Sequence, residues 1–125
     1  MKIGQVITET KVFTQAEFDA FAQLSRDDNP IHVDAAFAAR TRFGRTVAHG
    51  MLLYSTICGV LSRHFPGAVQ LEQQFMFPAP TFAEERMEIR LQVEEKSAKR
   101  VLVMTQILNE AGKLTCDGAC VLAYG

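Results

Sequence analysis

Apolar residues recur with two different periods along this chain, and the switch between them divides it into elements. Residues 5–13 carry β-branched side chains at Val6, Ile7, Thr8, Thr10 and Val12 and predict a first strand. Thr14 and Glu17 fit a capping box, and Phe18, Phe21 and Ala22 follow at helical spacing, which predicts a short amphipathic helix over 15–25. A loop over 26–31 comes next, and Asp34 is placed to cap a brief alanine-rich helix over 35–40. Residues 41–47, with Gly44, read as an irregular connection. From Gly50 to His64 the pattern is helical and apolar nearly all round, through Met51, Leu52, Leu53, Tyr54, Ile57, Cys58, Val60 and Leu61. A helix without a polar face is normally buried on most sides, so something must wrap it.

The second half of the chain supplies the wrapping. Val69, Leu71, Phe75 and Phe77 fall on alternate positions before Pro78-Ala79-Pro80 ends the run. Met87, Ile89, Leu91 and Val93 alternate with Glu88, Arg90, Gln92 and Glu94, the period-two pattern of a half-buried antiparallel strand. A turn is expected over 96–99, a strand over 101–108, hairpin chemistry at Asn109-Glu110-Ala111-Gly112 and a last strand over 114–124. The expected class is α+β, with an antiparallel sheet curled around one central helix. Periodicity alone says no more than a helix against such a sheet.

Composition narrows the picture further. A chain of 125 residues with 48% hydrophobic content and a formal charge of −1 predicts one folded domain spanning 1–125, and is not basic enough to predict nucleic-acid binding. The start of the sequence lacks the apolar core of a signal peptide. The longest apolar stretch, 51–61, is interrupted by Tyr54, Ser55 and Thr56 and falls short of the roughly 20 residues a bilayer requires. A soluble, cytoplasmic protein is expected. Cys58, Cys116 and Cys120 form no metal pattern and are expected to be free buried thiols. Four residues of regular strand separate Cys116 from Cys120 by ~13 Å, too far for a disulfide.

The most informative segment is LSRDDNPIHVDAA, residues 24–36. Asp27 stands five residues before His32, with Asn29-Pro30 between them. Asn-Pro favours a turn and disfavours helix at the residue before proline, so the carboxyl and the imidazole can curl toward a common point. Such a pair can hold a water and move its proton. An ionised carboxylate and a neutral imidazole can each accept a proton, and two groups so close can titrate as a unit. The spacing by itself fits equally well a turn stabilised by an ordinary Asp–His hydrogen bond.

The run Asp27-Asp28-Asn29-Pro30-Ile31-His32, followed by Ala48-His49-Gly50-Met51, resembles the hydratase motif of the MaoC-like, (R)-specific enoyl-CoA hydratases of the hotdog superfamily. The chain looks most like the short, single-hotdog members that feed polyhydroxyalkanoate synthesis. The resemblance implies a hotdog strand order and the reversible hydration of trans-2-enoyl-CoA. It makes Asp27 and His32 the catalytic pair and the backbone N–H of Gly50 a donor to the thioester oxygen. A helix N-terminus suits that last task, because its N–H groups lack intrahelical partners and glycine permits close approach.

By the same resemblance His49 supports loop geometry more than chemistry. Asn29 reads as a turn-former bonded to local backbone, with an amide that can also touch substrate. Tyr54, Cys58 and Leu61 are candidates to line the acyl tunnel, with Phe75 and Phe77 opposite; so many aromatics would favour short acyl chains. Arg40, Arg42 and Arg45 are candidate contacts for CoA phosphates, although a solvated basic loop explains them equally well. A homodimer is implied. No metal or redox cofactor is implied, CoA being part of the substrate.

The chain departs from the family pattern at Arg26, where many relatives have glycine, and at Ala83-Glu84-Glu85, where a glycine-aspartate turn is common. Cys58 stands where some relatives carry serine. Two alternatives use the same residues: a dehydratase acting on 3-hydroxyacyl-ACP or a specialised acyl-CoA, and a non-catalytic acyl-CoA-binding module. A hotdog thioesterase fits less well, because residues 50–64 contain no Asp or Glu.

Overall fold

In the computed structural model, which describes residues 2–124, strand β1 (Val6–Val12) leads into helix α1 (Gln15–Ser25) through the expected capping box. Glu17 N–H donates to Thr14 Oγ1 at 3.1 Å and Thr14 N–H donates to Glu17 Oε1 at 2.9 Å, so two orphan donors of the first turn are satisfied reciprocally. Helix α1 ends at Arg26, which adopts a left-handed conformation with φ 64°. Glu84 shares that region with φ 66°. Both lie within the segments expected to depart from the family pattern, and both enter a region that glycine reaches without the Cβ clash of other residues.

The expected loop over 26–31 is shorter in the structure, because a one-turn helix, α2 (Pro30–Val33), forms within it. Asn29 caps this turn, its Oδ1 accepting from Ile31 N–H at 3.2 Å, and Pro30 fills the first helical position, where a missing N–H does no harm. Asp34 then caps α3 (Ala35–Ala39) through Phe37 N–H. The long helix α4 (Gly50–His64) has the bounds expected of it.

Strands β2 (Val69–Met76), β3 (Arg86–Lys96), β4 (Arg100–Leu108) and β5 (Leu114–Ala123) join β1 in one antiparallel sheet of order β1-β3-β4-β5-β2. Strands β1 and β2 form its two edges. The core lies between α4 and the sheet: Leu53, Ile57, Val60 and Leu61 pack with Phe13, Phe18, Met87, Ile89, Leu91, Val103 and Ile107. This is the hotdog arrangement. Cys116 and Cys120 are buried in the same core, and burial pushes both thiols up to about 11.

Two expectations are corrected. Helix α4 is covered on one side only: Met51 is 49% exposed, Ser55 is exposed, and Tyr54 and Cys58 are half-buried. One sheet covers one face, so an apolar helix laid against it keeps an open flank. Strand β2 does not present Val69, Leu71, Phe75 and Phe77 on a single inward face. Its pairing with β5 shifts register between Gln70 and Glu72, and one extra residue reverses the alternation. Gln70, Gln73 and Phe75 are therefore half-buried, Val69 and Leu71 are exposed, and Phe77 lies beyond the strand end.

Candidate active site

The loop after α1 and the residues leading into α4 are stitched together by backbone bonds. Val47 N–H donates to Ile31 O at 3.1 Å, and Ala48 N–H donates to Thr81 O at 2.8 Å. Gln15, on the first turn of α1, clamps both segments: its Nε2 donates to His32 O at 2.9 Å and its Oε1 accepts from Thr46 Oγ1 at 2.6 Å. The DDNPIH and AHGM motifs are thereby brought side by side at the N-terminus of α4.

Within this frame a carboxylate oxygen of Asp27 and one ring nitrogen each of His32 and His49 all lie within 4.8 Å of one another. His32 Nδ1 is 2.8 Å from Val47 O. A carbonyl can only accept, so Nδ1 carries the proton and Nε2 keeps its lone pair. That free nitrogen and the exposed Asp27 carboxylate can share one water. Asp27 itself is held through its backbone, its N–H donating to Ser25 Oγ at 3.1 Å and its carbonyl accepting from His49 Nε2 at 2.8 Å.

His49 is 2% exposed. Its ring stacks on His32 with centroids 3.8 Å apart and meets the Phe21 ring edge-on at 5.0 Å. With Nε2 given to Asp27 O, His49 Nδ1 is a buried acceptor without a partner. Aspartate and two histidines are a donor set that can hold a metal ion. Here, however, the stacked rings are inclined by only 21°, so their in-plane lone pairs run side by side and do not converge. The cluster suits proton transfer better than chelation.

Burial holds the His49 imidazole below its ordinary 6.5, its bond to Asp27 O opposing and the neighbouring His32 adding to the effect. The unfolded chain therefore takes up a proton before the native one as the solution is acidified. The stability linked to His49 is fully present above pH 6.5 and is lost progressively below it. His49→Ala removes the stacked ring and the Asp27 tether together, and is expected to destabilise the fold by about 2–4 kcal/mol. Urea unfolding near pH 7 measures this. Unchanged stability, or equal acid sensitivity in wild type and His49→Phe, would contradict the structural role.

At the start of α4, His49 O accepts from the Leu52 and Leu53 N–H groups, while Gly50 opens the helix with no intrahelical acceptor for its own N–H. A Cβ at Gly50 would stand 2.4 Å from Cε2 of Phe77, so glycine is what lets this ring close over the helix end. A cleft of about 240 Å³ opens beside Gly50, lined in part by Arg42, Phe43, Ala48, Phe77 and Thr81.

The remaining candidates are distributed more widely. Asn29 spends its side-chain oxygen on capping α2, and its NH₂ group is left for other partners. Tyr54 and Cys58 face Gln70 of β2, whereas Leu61 is 2% exposed and sits in the main core, away from the Asp27–His32 pair. Arg45 is paired with Glu85 at 3.2 Å and lies over the Phe82 ring, and Arg40 lies over Phe37; Arg42 lines the cleft. Sequence reasoning missed Gln15 and the Val47 carbonyl, which orient His32. No local motif marks either of them.

The MaoC like domain family matches residues 2–113. The chain is 36% identical over 126 aligned positions to an (R)-specific enoyl-CoA hydratase of Aeromonas caviae, covering 98% of this chain and 94% of that protein. The solved structure of the A. caviae (R)-hydratase involved in PHA biosynthesis superposes with a TM-score of 0.94 over 100% of this chain and 98% of that one, at 36% identity. An (R)-hydratase from Pseudomonas aeruginosa superposes with a TM-score of 0.93 at 34% identity, over 99% of this chain and 82% of that one. With both motifs meeting at the mouth of the central helix of a hotdog sheet, the chain belongs to the MaoC-like domain family.

Proposed function

We propose that this protein is an (R)-specific enoyl-CoA hydratase, adding water reversibly to trans-2-enoyl-CoA to give (R)-3-hydroxyacyl-CoA. The convergence of Asp27 and His32 beside the N-terminus of α4 carries this reading. A water donating one hydrogen to the Asp27 carboxylate and one to His32 Nε2 presents its oxygen lone pair to the β-carbon. As the C–O bond forms, one water proton passes to the pair and a proton is delivered from it to the α-carbon. The electron pair of the double bond shifts transiently toward the thioester oxygen. The Gly50 N–H, aided by the helix dipole, stabilises that charge. Every step runs in reverse, so dehydration of the 3-hydroxyacyl thioester uses the same groups.

Kinship with hydratases named (R)-specific supports the stereochemistry, since water held on one side of a fixed substrate attacks one face only. The Arg42 side of the cleft suits the phosphorylated end of CoA. In this reading the enzyme is a cytoplasmic homodimer supplying (R)-3-hydroxyacyl units for polyhydroxyalkanoate synthesis. The unpaired edge of β2, with Val69, Leu71 and Met76 exposed, offers a surface for the second copy. Among the described residues no helix is long and apolar enough to cross a membrane. Incubation with crotonyl-CoA should bleach the absorbance of the conjugated thioester and yield the (R) alcohol. Binding without any absorbance change would reject the hydratase and leave an acyl-binding module.

A further inference from the structure

His32 stands on α2, a single helical turn of four residues, none of them buried. A helix that short has little stability of its own, and no buried apolar side chain anchors this one. The His32 ring stacks on His49, but stacking fixes the tilt of a ring and leaves it free to turn in its own plane. Which nitrogen meets the water therefore depends on the 2.8 Å bond from Nδ1 to Val47 O. That bond lasts only while residues 46 and 47 keep their distance from α2. One link between the two segments, from Val47 N–H to Ile31 O at 3.1 Å, acts as a hinge. The Gln15 carboxamide supplies a second, reaching from His32 O to Thr46 Oγ1.

This amide is itself held on several sides. His32 O and Asp19 Oδ1 accept from its Nε2 at 2.9 and 3.0 Å, which turns Oε1 toward the Thr46 hydroxyl at 2.6 Å. A carbonyl and a carboxylate only accept, so the reversed amide would lose two of the three bonds. The Gln15 backbone N–H donates to Glu84 Oε1 at 3.3 Å, and Thr46 is buried. The capping box already serves the first turn of α1, so the Gln15 side chain is not needed to start the helix.

Resting on the hydratase reading, we infer that Gln15 and Thr46 are a positioning pair for the reaction. They act through His32, holding its Nδ1 on Val47 O so that Nε2 faces the water shared with Asp27. Without this strut, residues 46 and 47 pivot about the Ile31 link and the Nδ1 bond lengthens. The Nε2–H tautomer then gains population and presents a donor where the water hydrogen needs an acceptor. A misplacement of about 1 Å costs on the order of a hundredfold in rate, and partial slack costs less.

Kinetics and nitrogen-15 spectra of the His32 ring test the pair together. Gln15→Ala and Thr46→Val should each lower kcat for crotonyl-CoA about tenfold. KM should stay within about twofold, because neither residue lines the cleft beside Gly50. The double variant should be no slower than the slower single one, since both break the same strut. Thr46→Ser keeps the hydroxyl and should restore kcat to within about twofold of wild type. At about pH 8 the neutral His32 ring should carry its proton on Nδ1 in wild type and share it between both nitrogens in either strut variant. His49, whose Nε2 donates to Asp27 O, is the opposite tautomer and serves as the internal reference. Gln15 opens α1 and Thr46 precedes α4, so a folding defect in one variant leaves the other to decide. Wild-type kcat or an unchanged His32 spectrum in a folded strut variant would overturn the inference, as would a Thr46→Ser as slow as Thr46→Val. If wild type fails to hydrate crotonyl-CoA, the hydratase reading falls by itself, and the tautomer signals still decide whether the pair positions His32.

Discussion

Asp27→Asn is expected to slow crotonyl-CoA hydration by at least about a hundredfold with the fold intact, which corresponds to about 2.7 kcal/mol of lost transition-state stabilisation. The substitution keeps the side chain's size and leaves both backbone tethers, to Ser25 and to His49, untouched. Position 27 is exposed, so stability should change by no more than about 0.5 kcal/mol. What disappears is the acceptor that takes a water hydrogen as the C–O bond forms. The loss should therefore fall on kcat, with KM little changed. His32→Ala should do the same, at a further cost of about 1 kcal/mol in stability because its bond to Val47 O is lost. If the two groups act on one water, the double variant is hardly slower than either single one, as is usual for residues that work as a unit. Asp28→Asn, next in sequence and also exposed, is the control and should turn over normally. Turnover near wild type in Asp27→Asn would refute the assignment of the pair.

The meeting of Asp27 and His32 was legible in the sequence because it is local. Five residues with an Asn-Pro turn between the ends leave few geometries, and the capped turn at Asn29 realises one of them. The capping box at Thr14 and the bounds of α4 were legible for the same reason, since each depends on neighbours within a turn or two. What the sequence did not disclose depends on distant partners. The bulge at Gln70/Glu72 is set by pairing with β5, and it turns Gln70 toward α4 in place of the Leu71 that alternation predicts. The clamp from Gln15 to His32 and Thr46 joins residues 17 and 31 positions away, and no spacing rule points to it. Arg26 and Glu84 lie between these extremes. The resemblance marked both sites as departures, but only the backbone shows that each sits in the left-handed region, where glycine would be relaxed.

Gly50→Ala should lower kcat by about 10²–10³, the scale of losing one oxyanion donor. The N–H itself survives the substitution; what changes is access to it. The new methyl group would stand 2.4 to 2.8 Å from three atoms of the Phe77 ring, a contact that cannot persist. Phe77 is 41% exposed and lies past the end of β2, so the ring can swing aside and the protein can still fold. Alanine also has the better helix propensity, by about 1 kcal/mol in a helix interior, which argues against a stability loss as the cause of slow turnover. Ring displacement and methyl crowding are separable. In the double variant Gly50→Ala/Phe77→Ala, activity should recover if the displaced ring alone blocks the thioester, and should stay low if the methyl group itself keeps the oxygen from the N–H. Either result supports a carbonyl bound at this helix end. Normal kcat in folded Gly50→Ala would mean that the thioester oxygen is held elsewhere, and the proton chemistry of Asp27 and His32 would then need a different oxyanion donor.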